Sequence, residues 1–246
     1  MIKKAKQTIK QVVHTILFSM VCVCVNGQNF SPQNGSVTQW NGEPLAVFEV
    51  ATDNTDITNV TIGLKKKPLD KLVGFMEKYG KKAKEWARTA KREGVKDYEK
   101  NLYGTTAMSP FVDAERVGFV VGGESYTKDY SNTFMSQDTQ TLGYPVFVVN
   151  GEGDCFMYLA SGVNTLKVST GRSVQTTTTV NSSTLLNPQT AVGHSTSQEM
   201  ISYDLGWVKL WISVADVDAF IQHLKQLSSD FDNKKANKKA TDKLFK

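Results

Sequence analysis

The segment that most constrains this chain is residues 65–102. Leu69, Leu72, Val73, Met76, Tyr79, Ala83, Trp86, Ala87, Ala90 and Val95 recur every three or four positions, which places them on one stripe of an α-helix. Lys and Arg crowd the other side. A helix over residues 65–94 is about 45 Å long at 1.5 Å per residue. A stripe of that length needs an apolar surface of similar length to cover it. Pro68 suits the first helical position, and Asp70 favours the positive N-terminal end. Gly94 ends or kinks the helix, with a short continuation to Leu102.

The remainder reads mainly as strands. Residues 28–42 are polar and form a loose lead-in. Residues 46–50 and 60–64 alternate apolar and polar, and Asp53-Asn54-Thr55-Asp56 between them is turn chemistry rather than a calcium loop. Val117, Phe119 and Val121 share one strand face, Gly122-Gly123 turns the chain, and 130–135 is the expected return. Residues 146–149 and 155–160 are apolar on both faces and flank a hairpin loop at Asn150-Gly151-Glu152-Gly153-Asp154. Strands are expected at 166–169 and 173–180, followed by a Ser/Thr/Asn/Gln-rich loop or hairpin tip at 181–198. Trp207 and Trp211 share one face of a strand at 207–212, with Val208, Leu210 and Ile212 on the other. Ser213 then reads as an N-cap with Asp216 three residues on. Val217, Phe220, Ile221, Leu224 and Leu227 form the apolar face of a second helix.

These elements predict an α+β fold: an antiparallel β-sheet covered on one face by the long helix, about 68–94, and a C-terminal helix, about 214–228. The alternative is a β-sandwich with a helical insertion at 65–102. The expected organisation is a signal peptide at 1–27, a single domain at 28–228 and a Lys/Asn-rich tail at 229–246.

The signal peptide rests on pattern. Lys3, Lys4, Lys6 and Lys10 precede an apolar run over 12–25 that is too short to span a bilayer, and Val25-Asn26-Gly27 suits a cleavage site. Removing those four lysines takes the net charge from +5 to +1, so the basic composition says little about partners of the processed chain. Two of the three cysteines leave with the leader, so a disulfide framework is excluded. An exported protein of this size without one points to a bacterial envelope.

The remaining charge is segregated. Residues 65–102 carry 13 basic and 6 acidic side chains, whereas 28–64 carry four acids and no base. Lys78, Lys81, Lys82 and Arg88 lie off the apolar stripe. They form either a solvated face supported by pairs such as Glu77–Lys81, or a docking surface for a polyanion such as an acidic polysaccharide or lipid headgroups. Trp207 and Trp211, with the threonines at 176–179, form either a sugar- or peptide-binding row or packing beneath the long helix.

Catalytic machinery is sparse. A cysteine nucleophile needs a lowered pKa and a neighbouring base. Cys155 opens an apolar run, the setting of an inert thiol; His194 and His223 are the histidines left, and a catalytic arrangement would join Cys155 to His194 and an acid such as Asp204. His194 reads as a solvated loop residue and His223 as the exposed edge of the second helix. Asp216 and Asp218 fit a helix N-terminus, and Glu152 and Asp154 fit a soluble turn. The spacings of a zinc site, a phosphate-binding loop, a dinucleotide fingerprint and a nucleophile elbow do not occur. The sequence therefore leads to an exported, non-catalytic binding or structural module located in the periplasm, on the outer cell surface or outside the cell. Its expected partner is a polyanion, a polysaccharide or another envelope protein. No cofactor, metal, nucleic acid or transmembrane segment beyond the leader is expected. The alternative is a cysteine-dependent hydrolase or transferase using Cys155.

Overall fold

A computed structural model describes residues 30–103, 112–129, 141–161, 165–182 and 189–244. The leader at 1–27 and the return strand at 130–135 lie outside them. Among the described residues the fold is α+β, with antiparallel sheets and two α-helices. One sheet has the order β1-β2-β4-β7-β8, formed by β1 (Ser36–Trp40), β2 (Glu43–Glu49), β4 (Ile57–Leu64), β7 (Arg116–Val121) and β8 (Glu124–Asp129). A second has the order β3-β13-β10-β9-β5, formed by β3 (Ala51–Thr52), β13 (Val208–Ser213), β10 (Cys155–Ala160), β9 (Thr141–Val149) and β5 (Tyr98–Asn101). Strand β6 (Val112–Asp113) also pairs with β9. The chain passes from one sheet to the other at Val50, between β2 and β3. The lead-in expected at 28–42 is thus partly the edge strand β1. Residues expected to continue the long helix form β5 instead, because Tyr98 to Asn101 pair with Val149 to Val146 of β9.

Helix α1 (Lys66–Glu93) spans 28 residues. Pro68 occupies its third position rather than its first, still within the turn whose N–H groups lack helical acceptors. Asp70 lies past the first turn. It accepts from the Lys66 ammonium at 2.9 Å and the Ser228 hydroxyl at 2.7 Å. Gly94 terminates the helix in the left-handed region at φ 62°, where both its own N–H and that of Val95 return to the Ala90 carbonyl. The buried stripe contains Leu69, Leu72, Met76, Tyr79, Ala83 and Ala90 as expected, and adds Phe75 and Gly80.

A 3-10 turn (Val214–Asp216) leads into α2 (Val217–Leu244). Ser213 holds the N-cap position, but its side chain makes no capping hydrogen bond. The second helix does not end near 228. It runs through the Lys/Asn-rich stretch to Leu244, because Phe231 is buried and two lysines reach back to the sheet edge. Lys234 donates to the Val37 carbonyl and Lys238 pairs with Glu43. The helices run antiparallel, since Lys66 meets Asp232, Glu77 meets Lys225 and Lys84 meets Asp218.

Both sheets contribute to the core. Phe48, Ile62 and Val117 form one buried row across β2, β4 and β7. Phe147, Met157 and Ile212 form another across β9, β10 and β13. The Trp86 indole stands edge-on to Phe147 at 5.7 Å, so this second row lies under α1. The hairpin loops follow their turn residues. Gly122 and Gly123 both have positive φ, 57° and 85°, as the shortest hairpin turn requires. Asn150 Oδ1 accepts from the N–H groups of Glu152 and Asp154 at 3.0 and 2.8 Å.

Thr165–Asp204 is a compact unit of its own. It consists of β11 (Thr165–Ser182) and β12 (Gln189–Asp204), paired antiparallel with Thr165 opposite Asp204 and Ser182 opposite Gln189. Residues 189–198, expected in a loop or hairpin tip, are therefore strand. The ribbon is about 60 Å long at roughly 3.3 Å per residue.

Candidate functional site

The second sheet is apolar on both faces, and only one is used by the helices. Val208, Leu210 and Ile212 of β13 are buried on the face that carries Met157 and Phe147. The opposite face carries Tyr144, Val146 and Val148 from β9, Tyr158 and Ala160 from β10, and Trp211 from β13, packed as one cluster. The tryptophans therefore do not pack under the long helix, and they play different parts. Trp211 is half-buried, with ring centroids at 4.6 Å from Tyr158, 6.2 Å from Phe30 and 6.4 Å from Phe156. Trp207 precedes β13 and is 41% exposed.

Around Trp207 this face opens into a groove of about 450 Å³, lined by Glu99, Asn101, Tyr103, Tyr144, Val146, Tyr158, Ala160, Trp207 and Lys209. Adjacent rings meet at steep angles. Tyr103 and Tyr144 lie 6.2 Å apart at 61°, and Tyr144 and Trp207 lie 6.3 Å apart at 75°. A β-bulge sets this arrangement. Leu159 pairs with Pro145 but Ala160 pairs with Gly143, which leaves Tyr144 as the extra residue of β9. Its φ is +44°, a left-handed backbone that costs roughly 1 kcal/mol for a residue with a side chain.

The polar groups of the groove are held in place. The Tyr158 hydroxyl donates to Glu99 Oε1 at 2.9 Å. Burial first, and then the Glu99 carboxylate, pushes the phenol pKa up, so Tyr158 stays protonated and donating. Lys209 pairs with Asp53 at 2.9 Å, and its ammonium lies 5.5 Å from the Tyr158 ring centroid. Asp53 is thus tied to an amine from β13, and Asn54 Oδ1 caps the Asp56 N–H within the turn.

The other expected site residues are not gathered here. On α1, Lys78, Lys81 and Arg88 are exposed, while Lys82 donates to the Leu102 carbonyl and lies over the Trp86 ring at 4.9 Å. The expected Glu77–Lys81 pair is replaced by Glu77–Lys225 at 2.7 Å. Of the basic band, Lys66 and Lys84 pair with Asp232 and Asp218 of α2. His223 lies within 3.1 Å of the Gly35 carbonyl, which can only accept, so its Nε2 donates there. It is half-buried rather than at an exposed edge.

The Cys155 arrangement fails on geometry. His194 and Asp204 lie on the same strand, ten positions apart. At roughly 3.3 Å per residue they are about 33 Å from each other and cannot form a dyad. Burial, and secondarily Asp154, raises the Cys155 pKa, the reverse of what an activated thiol needs. Native protein at pH 7 is therefore expected to react with iodoacetamide more slowly than a free cysteine, and the unfolded chain faster than the native one. A native rate above that of the free thiol would restore the enzyme reading.

Glu99, Asn101, Tyr103, Tyr144, Tyr158 and Lys209 were not singled out by the sequence. The available signal was the apolar character of both faces of 146–149 and 155–160, which requires a second cover besides the helices. What these elements define is an α+β protein with an open aromatic groove on the sheet face away from its helices. Comparison with known proteins finds no matching family model, curated protein or solved structure. No helix among the described residues is long and apolar enough to cross a membrane.

Proposed function

We propose that this chain is an exported, non-catalytic binding module of a bacterial envelope, and that it holds a polysaccharide chain in the groove beside Trp207. The observation that carries this reading is the bulge that turns Tyr144 towards Tyr103 and Trp207 at the expense of backbone strain. Sugar rings present C–H faces edged by hydroxyls. Tyr and Trp match them with large rigid apolar faces and polar tips, at little cost in side-chain entropy. Glu99 and Asn101 supply acceptors and donors for the hydroxyl rim. Lys209 is already paired with Asp53, so the groove offers no free positive charge and suits a neutral glycan better than an acidic one. Export rests on the Lys-rich and apolar pattern of residues 1–27.

Titration calorimetry against soluble oligomers of glucose, mannose and N-acetylglucosamine tests this reading. Binding to at least one series is expected, with affinity rising with chain length. Trp207→Ala is expected to weaken it at least about tenfold, or roughly 1.4 kcal/mol. Its melting temperature should stay near the parent's, because Trp207 is exposed. Absence of binding across the panel, or equal affinity in the Trp207→Ala protein, would overturn the reading.

A further inference from the structure

We propose that the solvent side of α1 is a second binding surface, a straight row of cations that takes a linear acidic polysaccharide. It lies on a different element from the Trp207 groove and does not depend on it.

The row follows from helical spacing. Lys67, Lys71, Lys78, Lys81, Arg88 and Arg92 are all exposed. With Gly74 and Glu85 they fall alternately four and three positions apart, so each returns close to the same line along the helix. Arg92 comes back to within about 20° of Lys67, and the row is about 37 Å long at 1.5 Å per residue. Leu69, Leu72, Met76 and Ala83 on the opposite stripe are buried. The row therefore points straight out from the core.

Its charges are unanswered within the protein. Lys66, Lys82 and Lys84, off this line, are tied to Asp70 and Asp232, to the Leu102 carbonyl and to Asp218. Lys67, Lys71, Lys78, Lys81 and Arg88 hold no ion pair or hydrogen bond among the described residues. Arg92 pairs with its neighbour Glu93. Like charges one turn apart destabilise a helix. The row contains three such pairs, Lys67–Lys71, Lys78–Lys81 and Arg88–Arg92, so an anion laid along it relieves repulsion as well as adding attraction. The pairs follow one another about 16 Å apart, beyond the Debye length of about 8 Å at physiological salt. Each then acts separately, and a ligand gains by spanning all three.

The surroundings select the ligand. Glycine weakens the middle of a helix. Gly80 makes room for Val217, but the place a Cβ would take on Gly74 has nothing within 4 Å. Packing does not require Gly74, and it leaves a dip between Lys71 and Lys78 where a ligand chain reaches the backbone. The apolar stripe of α1 is used by the core and is not free to enter a bilayer. Asp70 and Glu77 flank the row on the side of α2, where they meet Ser228 and Lys225. A flat anionic surface would meet those acids too, whereas a single chain on the line avoids them. The row has no aromatic side chain, the platform on which single-stranded nucleic acid stacks. A linear glycan bearing carboxylates or sulfates fits what remains.

Titration calorimetry of the full chain with polygalacturonate, trigalacturonate and heparin tests the proposal. Both polymers are expected to bind, at least about tenfold more tightly per site than the trimer. Raising salt from about 0.01 M to 0.15 M should weaken them at least about tenfold. K78E/K81E is expected to lose at least about tenfold in affinity with parental circular dichroism. K235E/K239E makes the same change in net charge on exposed lysines of α2 and should stay within about twofold of the parent. E85Q removes the acid from the row and should bind about threefold more tightly at low salt. Absence of polymer binding at low salt, equal affinity for the trimer, equal loss in the two double variants or weaker binding by E85Q would each overturn the proposal. So would tighter binding to duplex DNA or to phosphatidylglycerol vesicles than to either polymer.

Discussion

Replacing Phe48 with alanine is expected to remove about 3–5 kcal/mol of stability. The ring is fully buried in the row with Ile62 and Val117. Its other side lies on the backbone of Gly35, where a Cβ would come within 2.6 Å of the ring, and Leu227 of α2 is close by at 3.1 Å from that same position. The site is thus walled by sheet, helix and loop, and none can collapse into the void without dragging the others. Gly35 also has φ +112°, so the loop cannot be refilled by a side chain there without strain. Urea unfolding should show a lower midpoint at unchanged slope. A loss below about 1.5 kcal/mol would mean that the wall relaxes and that the rigid packing described for this row is wrong.

Gly80→Val is expected to be nearly as damaging, at roughly 3 kcal/mol, the upper end of overpacking costs. Position 80 is the point where α1 meets the start of α2. A Cβ there would lie 2.4 Å from Val217 Cγ1. Helix propensity acts in the opposite direction, since glycine is the poorer helix former by a few tenths of a kcal/mol relative to valine. The clash is the larger effect. It is specific, because Val217→Ala removes the methyl that is struck. The double substitution should recover at least about 1 kcal/mol relative to the sum of the single ones. Strict additivity would show that the helices do not meet at this pair.

Gly80 also shows why part of this fold was legible and part was not. The stripe of α1 was readable because hydrophobic period reports which side of a helix is covered. Gly80 escaped because a glycine carries no hydropathy signal and its role depends on the neighbouring helix, whereas Phe75 carries that signal but lies at the margin of the stripe, beside Tyr79. Gly94 marked a stop or kink of α1, since αL conformation is a local property, but that residues 98–101 leave the helix for β5 depends on their pairing with β9. The end of α2 was not. Residues after Asp230 are polar and resemble a fraying tail, but they stay helical because Lys234 and Lys238 find acceptors on β1 and β2. Such partners are nearly 200 positions away in the chain.

The groove was legible only in outline. Trp207 and Trp211 stood out by residue type, yet their separation into an open ring and a packed one follows from where β13 begins. Tyr144 drew no attention, because a bulge appears only when β9 is paired with β10. The catalytic alternative met the opposite fate. Cys155, His194 and Asp204 were compatible as residue types, and strand geometry separates two of them by about 33 Å.

By itself the sequence determined the local elements and their exposure pattern: a long amphipathic helix, alternating strands, glycine turns and an absence of catalytic motifs. These are set by backbone sterics and by hydrophobic period, which act over a few residues. Only the tertiary structure decided that the strands divide between two sheets and a ribbon. It also decided which of two apolar sheet faces the helices take, and that the remaining face gathers Glu99, Tyr103, Tyr144, Tyr158 and Trp207. Those outcomes depend on pairings between strands far apart in the chain, and no local preference encodes which partner a strand will find.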